Sequence, residues 1–186
     1  MDSLLRHPLT LLIIGAMLSG LIIPFITRNW QNRQKSLEIK TTLVSEISES
    51  VMEFFMSIQF AHLRKEIRRT PPIPVTPQEQ AEFDQAYKAW EIKSAVIGTK
   101  LQAYFPNANI PKTWTAFADV LTRFYALEGI AEPQLPDSMS SLAKQISATL
   151  SYDLPEPATY MQLREAVLQC KSDIISAVLQ AKMSLS

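Results

Sequence analysis

The chain has 186 residues and no net charge, with 18 Lys plus Arg set against 18 Asp plus Glu. That balance speaks against a nucleic-acid binder, which carries a marked basic excess. A lone cysteine, Cys170, excludes an intramolecular disulfide framework and suits a reducing compartment. Four glycines, two of them inside one apolar run, leave little material for phosphate-cradling loops or turn-rich β folds.

The apolar run is Pro8 to Thr27, PLTLLIIGAMLSGLIIPFIT, which holds no charged residue and is followed at once by Arg28, Asn29 and Trp30. A bilayer core is crossed by about 20 apolar residues in a helix, and a helix satisfies its own backbone there. A cleavable signal peptide would have a shorter apolar stretch ending in small residues. This one ends in Ile22-Ile23-Pro24-Phe25-Ile26, so an uncleaved transmembrane helix over 8–27 is expected. Arg6 flanks it on one side and Arg28, Arg33, Lys35 and Lys40 on the other. The cationic side stays cytoplasmic, which sets the N-terminus outside and the rest of the chain inside, in a single-pass protein of the cell (inner) membrane. Arg28, Trp30, Arg33 and Lys35 are candidate contacts to lipid head groups. Gly15 and Ser19 share one stripe of the span, Ala16 and Gly20 the adjacent one, a candidate helix-packing face. Pro24, whose ring meets the carbonyl of Gly20, predicts a kink.

Beyond the span, Val44, Ile47, Val51, Phe54, Ile58 and Ala61 alternate at spacings of three and four, the signature of a helix packed against others. Glu46, Glu49 and Glu53 fall on the far side. Arg64, Lys65, Arg68 and Arg69 close this arm with cations, where the helix dipole favours them, and Pro71, Pro72 and Pro74 stop it. Thr76-Pro77-Gln78-Glu79 is a capping box with proline at the first helical position. The helix it opens carries Phe83, Tyr87, Trp90, Ser94, Ile97, Leu101 and Tyr104 inward and ends at Pro106. A third helix, 111–128, turns Trp114, Phe117, Leu121 and Phe124 to the core, with Gly129 as its cap. Asp137 is the expected N-cap of a short fourth helix bearing Met139, Leu142, Ile146 and Leu150. The last helix carries Tyr160, Leu163, Val167, Cys170, Ile174, Ala177 and Ala181. No segment reads as a strand. The expected fold is all-α, with the span continuing into a cytoplasmic antiparallel helical bundle of five helices in four columns, the third and fourth helices sharing one column. Its divisions are a tail (1–7), the span (8–27), a juxtamembrane and long amphipathic helix (28–69) and the remaining helices (77–186).

Chemistry is sparse. The histidines are His7 and His62, and neither has the Glu-x-x-His or i, i+4 partner of a bundle metal site. His62, at the edge of the arm's apolar stripe, is expected to be structural, and Cys170 to act as a small core hydrophobe. No catalytic, cofactor or metal residue is assigned. The expectation is a non-enzymatic, membrane-anchored bundle that mediates protein association as an adaptor, scaffold or accessory subunit. Its partners would be membrane lipid and either its own copies or another membrane protein, with no nucleic acid. Two alternatives stand beside it. One is a homo-oligomeric pore whose arms turn Glu46, Glu49 and Glu53 into an acidic vestibule. The other is a membrane-tethered hydrolase.

Overall fold

A computed structural model describes residues 12, 15–68, 76–129, 136–150, 154 and 159–183. Among the described residues all regular structure is helical and no strand occurs, in agreement with the all-α expectation. A π-helical turn, Leu18–Ile22, precedes five α-helices: α1 (Ile23–Arg68), α2 (Pro77–Tyr104), α3 (Ile110–Gly129), α4 (Pro136–Leu150) and α5 (Tyr160–Gln180). The chain separates into two compact units, Met1–Thr41 and Thr42–Ser186, with the boundary inside α1.

In the first unit the expected distortion near Pro24 takes the form of the π turn. The Ile23 N–H donates to Leu18 O, five residues back. Pro24, the next residue, can neither donate nor tolerate the carbonyl of Gly20 close to its ring, and a widened turn relieves both constraints. Ser19 Oγ donates back to Gly15 O at 2.7 Å, so the hydroxyl costs this apolar stretch no unsatisfied donor. Among the described residues no helix is long and apolar enough to cross a membrane. Of the run Pro8–Thr27, residues 8–11, 13 and 14 lie outside the described residues.

The second unit is the bundle. Local signals place its helices. Thr76 and Glu79 form the full capping box, with Pro77 at the first helical position. Thr159 and Gln162 form a second box at the start of α5, with Gln in the place of Glu. The Phe105 N–H closes α2 on Leu101 O, and Asn109 O receives Thr113 N–H to open α3. The fourth helix starts at Pro136 rather than after Asp137, because proline suits the first helical position.

Charge sets the direction of α2 against α1. Lys100 Nζ donates to Glu46 at 2.7 Å, Lys93 pairs with Glu53, and Arg64 donates to Glu82 at 3.1 Å. Along α1 these residues step forward by two and then three helical turns, while their partners step back along α2 by the same amounts, so the helices are antiparallel. A parallel alignment would set Glu46 beside Glu82 and Arg64 beside Lys100. Each pair is well exposed and contributes at most about 1 kcal/mol. Their main effect is to penalise the wrong alignment.

The core runs through all five helices. Leu43, Ile47, Val51, Phe54, Phe55 and Ile58 of α1 meet Trp90, Ile97 and Leu101 of α2, the Trp114–Tyr125 face of α3, Leu142 and Ile146 of α4, and the Leu163–Val178 face of α5. The expected inward sets of α1, α3 and α5 are largely those observed; the side chains of Met139 and Leu150 lie outside the described residues. Helix α3 packs against α2, α4 and α5 and meets α1 through Tyr125 on Phe54, which makes it the central element. Helix α4 packs on both α3 and α5. The third and fourth helices are therefore packing partners, not two halves of one column.

Burial also tunes two titratable groups. Loss of solvent, with a smaller contribution from the Asp173 carboxylate, pushes the Cys170 thiol up to about 12. Burial and then Asp84 raise the Tyr125 hydroxyl to about 12, while that hydroxyl donates to Phe83 O at 3.0 Å. In both cases the fold favours the neutral form. The stability gained is fully present below the unfolded values of 9.0 and 10.0 and is lost as pH rises from there toward about 12. Two outcomes are expected. A disulfide reagent near neutral pH should find no reactive thiol in the native chain and a single equivalent after denaturation. The midpoint of urea unfolding should also fall above about pH 9. A native thiol that reacts as fast as a free one would contradict the burial.

Candidate functional site

Helix α1 is apolar on two faces. One belongs to the core. The other carries Met52, Met56, Phe60, Leu63 and Ile67, which are 37, 43, 55, 54 and 62 % exposed. Their spacing of four, four, three and four keeps them within a sector of about 80° on an ideal helix, roughly opposite the core stripe. Leucine, methionine and phenylalanine scattered singly on a surface are ordinary, but a contiguous row is not. Beside the row, Glu53 pairs with Lys93 and Arg64 with Glu82, while Glu49, one turn before Met52 in the same sector, is exposed.

At the end of the same helix lies a half-buried polar joint. His62 Nδ1–H donates to Glu128 Oε2 at 3.0 Å; a carboxylate can only accept, which places the proton on Nδ1. Lys65 Nζ stands 3.8 Å from the same oxygen. The Glu128 side chain is only 4 % exposed. The imidazole is stacked on the Tyr160 ring, centroids 3.7 Å apart and planes within 4°, and Phe124 tilts against the other ring at 5.4 Å. Burial, followed by the Glu128 charge, raises the Tyr160 hydroxyl above its usual range. Neither Tyr160 Oη nor Arg164 Nε, both buried, has a hydrogen-bond partner among the described residues. The arrangement joins α1, α3 and α5.

A third feature is an open groove of about 630 Å³ between α2 and α3, lined by small residues such as Ala95, Gly98, Thr99 and Ala103 on one side and Trp114 and Ala118 on the other. A Cβ on Gly98 would meet Trp114 Cδ1 at 3.4 Å, an ordinary van der Waals contact. The groove has no acid or base on its walls. Among the described residues no cluster of His, Cys, Asp and Glu has the makings of a metal site.

No family model matches the chain, and neither does any curated protein or solved structure.

Of the residues singled out in the sequence, Arg28, Trp30, Arg33 and Lys35 are all exposed on α1, whereas Lys40, counted with them for orientation, is buried. Around Gly15 and Gly20 an added Cβ would meet nothing within 4 Å, so the small face of Gly15, Ala16, Ser19 and Gly20 is uncrowded by the chain itself. The vestibule glutamates are not alike: Glu46 and Glu53 turn toward lysines of α2, and Glu49 is exposed. The place directly opposite the core holds Glu49, as expected, and beyond it the apolar row, which the sequence reading missed. Its signal was present in the spacing of Met52, Met56, Phe60, Leu63 and Ile67, hidden behind the stronger stripe on the same helix. Glu128 was also legible, since it is the next inward position after Phe117, Leu121 and Phe124.

Proposed function

We propose that this chain is a non-enzymatic, membrane-tethered helical bundle that associates with a protein partner through the outer face of α1, acting as an adaptor, scaffold or accessory subunit. The observation that carries the reading is the row from Met52 to Ile67, five large apolar side chains left in solvent on a helix whose opposite face is already fully packed. Such rows mark contact surfaces, and helices are recognised through apolar anchors at this kind of spacing. The tether is supported by the uncharged run 8–27 and by the exposed Arg28, Trp30, Arg33 and Lys35 that follow it. By the same charge asymmetry the bundle is cytoplasmic, and protease added outside intact cells should leave it uncut.

The test is the size of the complex formed by the full chain, extracted from its own membranes in a mild detergent. A species larger than one chain is expected, and Leu63→Glu or Phe60→Glu should reduce it to single-chain size, since a charge forced into an apolar contact costs several kcal/mol. Both side chains are exposed, so far-ultraviolet circular dichroism should show the bundle intact in each variant. A wild-type chain that runs alone, or a complex indifferent to both charges, would overturn the association. Deleting residues 8–27 should release the chain from membranes washed with alkaline carbonate; retention there would overturn the tether.

A further inference from the structure

We infer that the partner on the outer face of α1 is a helix of another protein whose apolar stripe ends in a Lys or Arg set against Glu49, an inference that rests on the association surface proposed above. Glu49 lies one turn before Met52, on the side of α1 opposite the core stripe, and is exposed. Glu46 and Glu53, about one turn to either side of it, are held by Lys100 and Lys93 of α2. Among the described residues no cation pairs with Glu49. Its neighbours three and four positions away are Ser45, Glu46, Met52 and Glu53, none of which can supply one. Over about five turns, the outer side of α1 therefore presents an uncommitted carboxylate followed by five large apolar side chains.

Each class of occupant meets that carboxylate differently. An anionic lipid surface or an acidic peptide is repelled by it, and the cation beside the row, Arg64, is already held by Glu82. A second copy set parallel and in register brings two Glu49 carboxylates together, and like charges across a contact oppose it. An antiparallel copy matched over the row carries Glu49 past Arg68, where α1 ends. A wholly apolar helix takes the carboxylate out of water with nothing to compensate it. A helix whose apolar stripe ends in a cation lays its anchors along the row and gives Glu49 a partner. Complementary charge of this kind governs specificity and orientation more than affinity. The cation decides which end of the partner helix lies toward Glu49 and which toward Ile67.

The experiment is a dilution series of the complex, extracted with the full chain from its own membranes in a mild detergent. The reading is the concentration at which half of the chain leaves the complex. Glu49→Lys should raise it at least about tenfold, since it sets like charges against each other. Glu49→Gln should raise it a few-fold and remove most of its dependence on salt. Gln85→Lys, on the exposed side of α2, should change nothing. Both Glu49 variants alter an exposed side chain, and circular dichroism should show the bundle intact. A midpoint that is unchanged or lowered in Glu49→Lys overturns the cation, and a purified complex whose only chain is this one overturns the assignment to another protein. If the Glu49 variants change nothing while Leu63→Glu still reduces the complex to single-chain size, the cation falls and the association surface stands. If Leu63→Glu leaves the complex unchanged, both fall.

Discussion

Replacing Trp90 by alanine should remove about 3–5 kcal/mol of stability, the cost of deleting a large aromatic side chain from a packed core. Trp90 is where three helices meet. It is 2 % exposed and stacks on Phe54 of α1 with centroids 4.7 Å apart and planes within 1°. It also tilts against Trp114 of α3 at 6.1 Å, and its Nε1–H donates to Thr122 Oγ1 at 3.1 Å. The alanine variant loses the buried area, the ring pairs and the hydrogen bond together, and leaves a cavity that three rigid helices cannot close. Against a typical total of about 5–15 kcal/mol, that loss brings the bundle near its limit. Trp90→Phe keeps the stack on Phe54 and should cost less than half as much. Thr122→Val leaves the indole N–H buried without an acceptor and should cost about 1–3 kcal/mol. Urea unfolding of the full chain in mild detergent, followed by circular dichroism at constant m-value, gives all three. A cost under about 1 kcal/mol for Trp90→Ala would mean that the aromatic column does not join the helices.

That column shows what was readable beforehand. Trp114, Phe117, Leu121 and Phe124 sit on a single apolar stripe, and all are at most 1 % exposed. Where one face of a helix is apolar and the other polar, the spacing alone identifies the buried side. Helix α1 breaks that condition. Its core stripe and its outer row are both apolar, and periodicity finds the longer of the two and assigns the other face to whatever charge is near. Phe55 was missed for a related reason: it adjoins Phe54, and two neighbours cannot both satisfy a strict alternation, yet both are buried. The pairing of Glu46 and Glu53 with α2 needs two helices aligned antiparallel before any lysine comes opposite them, and no single-helix pattern contains that information. The aromatic His62–Tyr160 stack joins residues almost a hundred positions apart, beyond the reach of local spacing. Fold class followed from the pattern of individual segments, whereas the surfaces available for function followed from what the packing left uncovered.

The second large effect is expected at His62. Glu128 places a carboxylate in the last turn of α3, where the helix dipole disfavours negative charge, and buries it at 4 % exposure. It persists there because His62 Nδ1–H donates to it and Lys65 stands beside it. His62→Leu removes the hydrogen bond, leaves Lys65 at 3.8 Å from the carboxylate, and takes away the ring stacked on Tyr160. Stripping a buried carboxylate of a hydrogen-bond donor costs about 3 kcal/mol. Glu128→Gln retains an oxygen that can accept from His62 and should cost only about 1–2 kcal/mol. The double variant His62→Leu with Glu128→Leu decides between an electrostatic joint and mere packing. If the single-variant cost comes from a stranded carboxylate, removing both partners should restore most of the stability, since replacing both partners of a hydrogen bond by apolar groups can be nearly neutral. The double should then be less damaging than His62→Leu alone, with a coupling of about 1–3 kcal/mol in the thermodynamic cycle. The loss of the Lys65–Glu128 approach and of the His62–Tyr160 stack is common to single and double variants and cancels, so the cycle isolates the His62–Glu128 contact. Costs that simply add would show that the two side chains act separately, and that the joint between α1, α3 and α5 is held by Tyr160 and Phe124 instead.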